Sequence, residues 1–169
     1  MRRLRWLIVL AALALALIPL LGDLGPSSRP STSGGGVARV ERVVDGDTIK
    51  VDLDGRTERV RYIGVDTPET VKPGTGVQCF GHEASARNSA LVAGRQVRLV
   101  VGDEARDRYG RLLAYVYRTS DDTFVNEALV RDGYARTMTI PPNDRYAPRF
   151  AALQARARSD GRGLWGRCR

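Results

Sequence analysis

Beyond residue 36 the chain alternates apolar and polar residues in short bursts. VARVERVV (Val37–Val44) has the period of two expected of a half-buried strand, and DTIKVDL (Asp47–Leu53) and RTERVRYIGV (Arg56–Val65) follow it closely. Asp45-Gly46 marks a tight corner between the first two strands, and Asp54-Gly55 is a hairpin turn signal between the second and third. TVKPGTGVQCFG (Thr70–Gly81) shows no periodicity and reads as a Gly/Pro loop. HEASARNSALVAG (His82–Gly94) then takes helical spacing, with Gly94 as its stop. RQVRLVVG (Arg95–Gly102) and RLLAYVYR (Arg111–Arg118) are strands four and five. TFVNEALVRDG (Thr123–Gly133) and PRFAALQARARSDG (Pro148–Gly161) are two further helices, the latter with Pro148 suited to a first turn.

Five strands with a helix between the third and fourth is the order of an OB-fold. The expected fold class is therefore mainly β with helices: a five-stranded barrel with three helices, occupying residues 37–169. No internal repeat is present.

The first 36 residues follow different rules. Arg2, Arg3 and Arg5 lie in a basic stretch (1–5) ahead of WLIVLAALALALIPLLG (6–22), a charge-free run of 17 residues. That length falls between a signal-peptide core and a full membrane span of about 20 residues. The Ala-Leu-Ala triplets lie inside the run rather than after it, which favours a retained anchor over a cleaved signal. On both readings the N-terminal arginines stay cytoplasmic and the domain is exported, to be anchored at the membrane's outer face or secreted. Residues 23–36, with GPSSRPSTSGGG, form a Gly/Ser/Pro linker.

Charge and cysteines fit this picture. The formal net charge is +8, and the part beyond residue 35 keeps +5, because four arginines and one aspartate precede it. A basic domain suggests an anionic partner, nucleic acid first and an anionic membrane surface second, although charge alone equally fits an arginine-rich composition spread over solvated faces. Cys79 and Cys168 are an even count in an exported chain and predict a disulfide.

The carboxylates at the strand corners need their own explanation. Asp47 lies seven residues before the Asp54-Gly55 turn and Asp66 eleven after it, so the two can meet at the open end of the hairpin if the corner or a bulge absorbs the difference. Two carboxylates at one place repel unless a cation lies between them. Hard oxygen donors without neighbouring His or Cys indicate Ca²⁺ or Mg²⁺. An EF-hand is excluded, since Asp52-Leu53-Asp54-Gly55 lacks oxygen donors at the required offsets. Asp45 is assigned to the turn alone. Arg61 shares a strand with Asp66, and Arg111 opens the fifth strand. A metal and two guanidinium groups converging on one place make a phosphate clamp. Glu69, beside that metal, is positioned to take a proton from water.

These residues carry a resemblance. DGDTIKV (Asp45–Val51), RYIGVDTPE (Arg61–Glu69) and DRYGRLLAYVY (Asp107–Tyr117) closely resemble the staphylococcal nuclease, or thermonuclease, family, and GHEASA (Gly81–Ala86) and VNEALVRDG (Val125–Gly133) also look like it. The resemblance runs from about Val37 to Trp165. It implies a Ca²⁺-dependent phosphodiesterase on an OB-fold that cleaves DNA and RNA and leaves 3′-phosphoryl ends; the chain is separately expected to be a monomer. It also implies roles: Asp47 and Asp66 as direct Ca²⁺ ligands with the Thr67 carbonyl, Glu69 as general base, and Arg61 and Arg111 on the scissile phosphate. Arg108 and Tyr109 would contact a terminal phosphate. Two departures stand out. Tyr62 replaces the usual aliphatic residue, and Arg136–Asp144 lacks the tyrosines with which the family can stack on a base. The other reading is an OB-fold that binds nucleic acid without cutting it. Loss of catalysis would show as loss of Arg61, Glu69, Arg111 or the Asp pair, and all five are present.

Other residues have plainer roles. His82 has nothing to pair with and starts a helix. Tyr115 and Tyr117 alternate with apolar residues as barrel packing. Trp165 is a barrel plug or a C-terminal staple.

Overall fold

A computed structural model of the chain describes residues 35–70, 74 and 76–168. The expected anchor and nearly all of the linker lie outside the described residues. At Gly36 the chain is already docked, its carbonyl accepting the Leu99 amide at 2.8 Å.

Seven strands and four helices follow in order: β1 (Val37–Val43), β2 (Thr48–Leu53), β3 (Arg56–Tyr62), β4 (Gly64–Asp66), α1 (Gly81–Val92), β5 (Gln96–Arg106), β6 (Leu112–Arg118), α2 (Val125–Arg131), β7 (Arg136–Met138), α3 (Ala147–Ser159) and α4 (Leu164–Arg167). Five strands close into a barrel in the order β1-β2-β3-β6-β5, and β4 pairs with β7 as a separate two-stranded ribbon. All barrel pairings are antiparallel except β3 with β6. The OB-type barrel and the three longer helices agree with the sequence pattern.

The alternation along each strand explains the closure. Val40, Ile49, Val51, Val60, Val97, Leu99 and Val116 all turn inward and are essentially solvent-free. Each such side chain contributes roughly 1.5–3 kcal/mol of transfer free energy. The intervening Arg42, Asp52, Arg59 and Arg118 keep to the outside. α2 seals one end of the barrel through Val125, Leu129 and Val130. Buried Asn126 secures it: its Oδ1 accepts the Val116 amide at 2.9 Å and its Nδ2 donates to the Ile63 carbonyl at 2.8 Å.

The third strand differs from expectation. Arg56–Val65 is not one strand: β3 ends at Tyr62, the Ile63 amide makes the last bond of the parallel ladder to the Ala114 carbonyl at 3.0 Å, and the chain turns away at Gly64. Gly64 takes a φ of +80°, and any β-carbon there would lie 2.7 Å from the Phe150 ring. The tail of the run becomes β4 and pairs with β7, Asp66 opposite Arg136. The alternation slips by one residue between Tyr62 and Ile63, and Gly64 lies within the run, which marks the place of the break but not where the chain goes after it. A fourth helix follows the three expected ones. In it Trp165 acts as a staple, with the guanidinium groups of Arg136 and Arg158 over its ring at 5.5 and 5.1 Å. Tyr115 is buried in an aromatic cluster with Phe124 and Tyr146.

Candidate active site

The corner before β2 is where the site begins. Asp45 accepts the Asp47 amide on its own carboxylate at 3.0 Å, which folds Asp45-Gly46-Asp47 into a tight turn. Gly46 is required there, because a β-carbon would lie 2.6 Å from the Thr67 hydroxyl. That close approach lets Asp47 reach across to the chain after β4. Its Oδ2 accepts both the amide and the hydroxyl of Thr67, at 2.8 and 2.9 Å. Its Oδ1 accepts the Thr48 hydroxyl at 3.2 Å and lies 3.2 Å from Arg61 Nε.

Arg61 joins the two aspartates. It is 8% exposed, pairs with Asp47 through Nε, and donates from Nη2 to Asp66 Oδ1 at 3.1 Å. Its Nη1 donates to the carbonyls of Tyr62 and Val65 at 2.9 and 2.8 Å. The expected meeting of Asp47 and Asp66 is therefore present, centred on a guanidinium. The route to it is β4 turning away from the barrel, not one long hairpin.

The cluster is short of positive charge. Burial, then the charge of Asp47, pushes Asp45 up to about 6. Burial and again Asp47 raise Asp66 above the usual carboxylate range, with Glu69 adding to the effect. The donors are hard oxygens, and the Asp66 side chain is half exposed. These features fit a hard divalent cation shared by Asp47 and Asp66. Among the described residues no three Asp, Glu, His or Cys side chains gather closely enough to hold an ion unaided. A carbonyl such as that of Thr67, with water and substrate, would have to complete the shell.

On its other side Arg61 lines a cavity of about 400 Å³, which it shares with Arg111, Arg108, Tyr109, Met138 and Ile140. Arg111 is aimed by Asp107. One Asp107 oxygen accepts Arg111 Nε at 2.6 Å, and the other accepts the amides of Tyr109 and Arg111 at 2.9 and 3.0 Å. Burial alone would raise Asp107, but the bonds from Arg111 and the two amides outweigh it and hold its carboxyl below the usual range. Tyr109 is largely exposed, with the Arg108 and Arg111 guanidinium groups 4.8 and 5.4 Å from its ring centre. Four of the expected residues, Arg61, Arg108, Tyr109 and Arg111, thus share one cavity. Asp47, Asp66 and Thr67 adjoin it through Arg61.

Glu69 lies just past Thr67 and does not line the cavity. Its carboxylate accepts the Thr70 amide at 2.9 Å. Gln78 grips its backbone twice: the Gln78 amide donates to the Glu69 carbonyl at 2.9 Å, and the Gln78 side chain accepts the Glu69 amide at 3.0 Å. The next residue, Cys79, is disulfide-bonded to Cys168, the expected pair. The C-terminal tail therefore tethers the loop that carries Glu69.

Sequence reading missed four supporting residues. Gln78 and Asp107 are two of them, and the spacing of Asp107 from Arg111, four residues within DRYGR, was a usable signal. The other two are Tyr62 and Asn88. The Tyr62 hydroxyl donates to Asn88 Oδ1 at 2.9 Å, and Asn88 Nδ2 donates to the Asp45 carbonyl at 2.9 Å. Tyr62 is 1% exposed and Asn88 fully buried. Tyr62 showed only as a departure from the family pattern, and Asn88 only as a polar residue on the inner face of α1. His82 is exposed at the start of α1, as expected.

Comparison with known proteins accords with this geometry. The sequence model described as "Staphylococcal nuclease homologue" matches residues 59–167. The chain is 44% identical over 161 residues to the thermonuclease of Staphylococcus intermedius, covering 92% of this chain and 94% of that protein. It is 40% identical over 161 residues to the thermonuclease of Staphylococcus hyicus, covering 94% of each. It is also 44% identical over 131 residues to endonuclease YncB of Bacillus subtilis, covering 76% of this chain and 61% of that protein.

Proposed function

The chain belongs to the staphylococcal nuclease homologue family, and on that premise we propose that this phosphodiester-hydrolysing nuclease requires Ca²⁺, acts on DNA and RNA, and leaves 3′-phosphoryl ends. The observation that carries the proposal is the position of Arg61, between an aspartate pair on one side and the Arg111-lined cavity on the other.

Asp47, Asp66 and the Thr67 carbonyl would hold the ion, which would supply positive charge to the phosphate oxygens. Arg61 and Arg111 orient the scissile phosphate. Arg111, held only through Nε, can bind the phosphate with its η nitrogens. Arg61, already engaged by Asp47, Asp66 and two carbonyls, contributes chiefly its charge. Both stay charged throughout and favour the crowded dianionic transition state over the ground state. Glu69 accepts a proton from the attacking water. The water oxygen forms its bond to phosphorus as the bond to the 5′-oxygen breaks, and the departing 5′-oxygen takes a proton from solvent water. Arg108 and Tyr109 hold a terminal phosphate at the cavity mouth. Without the tyrosines absent from Arg136–Asp144, little selects among bases.

An exported domain is consistent with the Cys79–Cys168 bridge, since such bonds persist in oxidising compartments. The test is digestion of plasmid DNA and of RNA by the full chain with Ca²⁺, with Mg²⁺ or with chelator, followed by end-group analysis. Cleavage with Ca²⁺ that leaves 3′-phosphates is expected. Full activity in Mg²⁺ with Ca²⁺ chelated, or 5′-phosphate ends, would refute the proposal.

A further inference from the structure

A row of cations crosses the outside of the barrel and leads to the site. Arg42 on β1 is the register partner of Lys50 on β2, and Lys50 is the partner of Arg59 on β3. Residues paired in this way project from the same face, about 4.5–5.5 Å apart at their β-carbons. Arg42 and Arg59 are exposed and Lys50 half-buried. The row does not stop at β3. Arg59 immediately precedes Val60, and Arg111 immediately precedes Leu112, the parallel partner of Val60. Carried one residue beyond the paired part of β6, the row reaches Arg111. Two residues further along the same strands is the pair Thr48 and Arg61, the other arginine of the site.

Like charges placed side by side across strands oppose folding. Intervening acids ordinarily relieve such a row. Among the described residues, Arg42, Lys50 and Arg59 take part in no ion pair and no side-chain hydrogen bond to a carboxylate, whereas Arg106, Arg111 and Arg118 nearby each do. Two acids lie beside the row: Asp52 accepts the Gly55 amide of the hairpin turn and is paired in register with Arg39, and Glu41, next to Arg42, accepts the Thr57 hydroxyl at 3.3 Å. Among the described residues neither acid pairs with Arg42, Lys50 or Arg59.

We propose that Arg42, Lys50 and Arg59 form an extended phosphate-binding track that holds the nucleic-acid strand running from the scissile phosphate across β3, β2 and β1. With strands about 4.8 Å apart, the track spans roughly 14 Å from the level of Arg111 to Arg42, enough for a few consecutive phosphates of an extended strand. Its side chains meet the backbone as charges, so it adds affinity and direction without base preference. The inference rests on the nuclease reading for the placement of the scissile phosphate.

The test compares the parent full chain with the triple variant Arg42→Gln/Lys50→Gln/Arg59→Gln, and with the charge-conserving Arg42→Lys/Arg59→Lys. Binding of a long single-stranded DNA is measured with chelator across a salt series, and cleavage of a dinucleotide and of the long strand with Ca²⁺. The triple variant is expected to bind the long strand roughly tenfold more weakly at low salt. Its slope of log affinity against log salt should be shallower by about 2, since each single-strand phosphate contact contributes about 0.7. Dinucleotide cleavage and melting temperature should not fall, and the Lys variant should behave like the parent. Unchanged affinity and slope in the triple variant would overturn the track. So would a loss confined to binding of anionic lipid vesicles, which would assign the row to a membrane. If the parent cleaves neither substrate, the nuclease reading fails, while the binding slopes still decide the track.

Discussion

Tyr62→Phe removes one oxygen atom from the centre of the fold. In the parent that hydroxyl donates to Asn88 Oδ1 at 2.9 Å, with both residues shielded from solvent. The phenyl ring fits the same space, so no cavity arises. What remains is a buried amide oxygen without its donor, a loss of about 1–3 kcal/mol. For a domain of this size that lowers the melting temperature by about 4 °C per kcal/mol, or about 4–12 °C in all. Catalysis should respond far less. The Asp45 carbonyl keeps its bond from Asn88 Nδ2, and the backbone bonds of Tyr62 to the Asp47 carbonyl and from Arg61 Nη1 do not involve the hydroxyl. Asn88→Ala deletes both bonds and strands two polar atoms, so it should cost more stability and also loosen the Asp45–Asp47 corner. Because the two residues share one bond, the effects of Tyr62→Phe and Asn88→Ala should be clearly non-additive in the double variant. Thermal and urea unfolding of the four proteins, alongside single-turnover cleavage, decides the matter. A Tyr62→Phe protein that melts with the parent, or additive losses in the double variant, would refute the reasoning.

Reduction of Cys79–Cys168, or its replacement by serines, frees a loop closed over 89 residues and should cost up to about 4–5 kcal/mol on the chain-entropy estimate. Cleavage well below the lowered melting temperature should survive, as paired melting and activity curves would show. Asp107 is held below the usual carboxylate range in the folded protein, so its contribution is complete above the unfolded value near 4 and is lost as pH falls through the lower folded one. Asp107→Asn should therefore flatten the acid limb of the stability profile, as measured by urea unfolding against pH, and should reduce cleavage by releasing Arg111. Chelation of divalent ions should abolish cleavage reversibly, with Ca²⁺ restoring it and Mg²⁺ doing so poorly, as timed digestion would measure.

The strands and helices were legible because burial imposes a period and the turns need particular residues. Asp54-Gly55 closes β2 onto β3, and Gly94, Gly133 and Gly161 follow their helices at positive φ. The candidate carboxylates stood out because they sit at strand ends, where a pleated sheet has no use for them. The pairing of β4 with β7 was not legible, since the phase slip at Ile63 and the glycine at 64 show where a strand breaks but not which strand the remainder joins. Partnerships made at long range were hidden too. Gln78 and Asn88 are ordinary loop and helix residues until folding places them against Glu69 and Asp45. Nor could the order of residues show that Arg61 would be buried among carboxylates, with its η nitrogens donating to backbone carbonyls and to Asp66. The cationic row appears only once the register of three strands is known.

Single-turnover cleavage by Glu69→Gln and Arg111→Ala, read beside their affinity for a nucleotide ligand in Ca²⁺, tests the central claim most directly. Glu69→Gln keeps the size and polarity of the side chain but cannot accept the proton. It should bind the ligand as the parent does, while the chemical step slows by roughly 10²–10⁴. Arg111→Ala should also slow sharply, because its guanidinium acts mostly in the transition state. If both variants cleave at the parent rate, catalysis does not take place between Asp47, Arg61 and the Arg111 cavity.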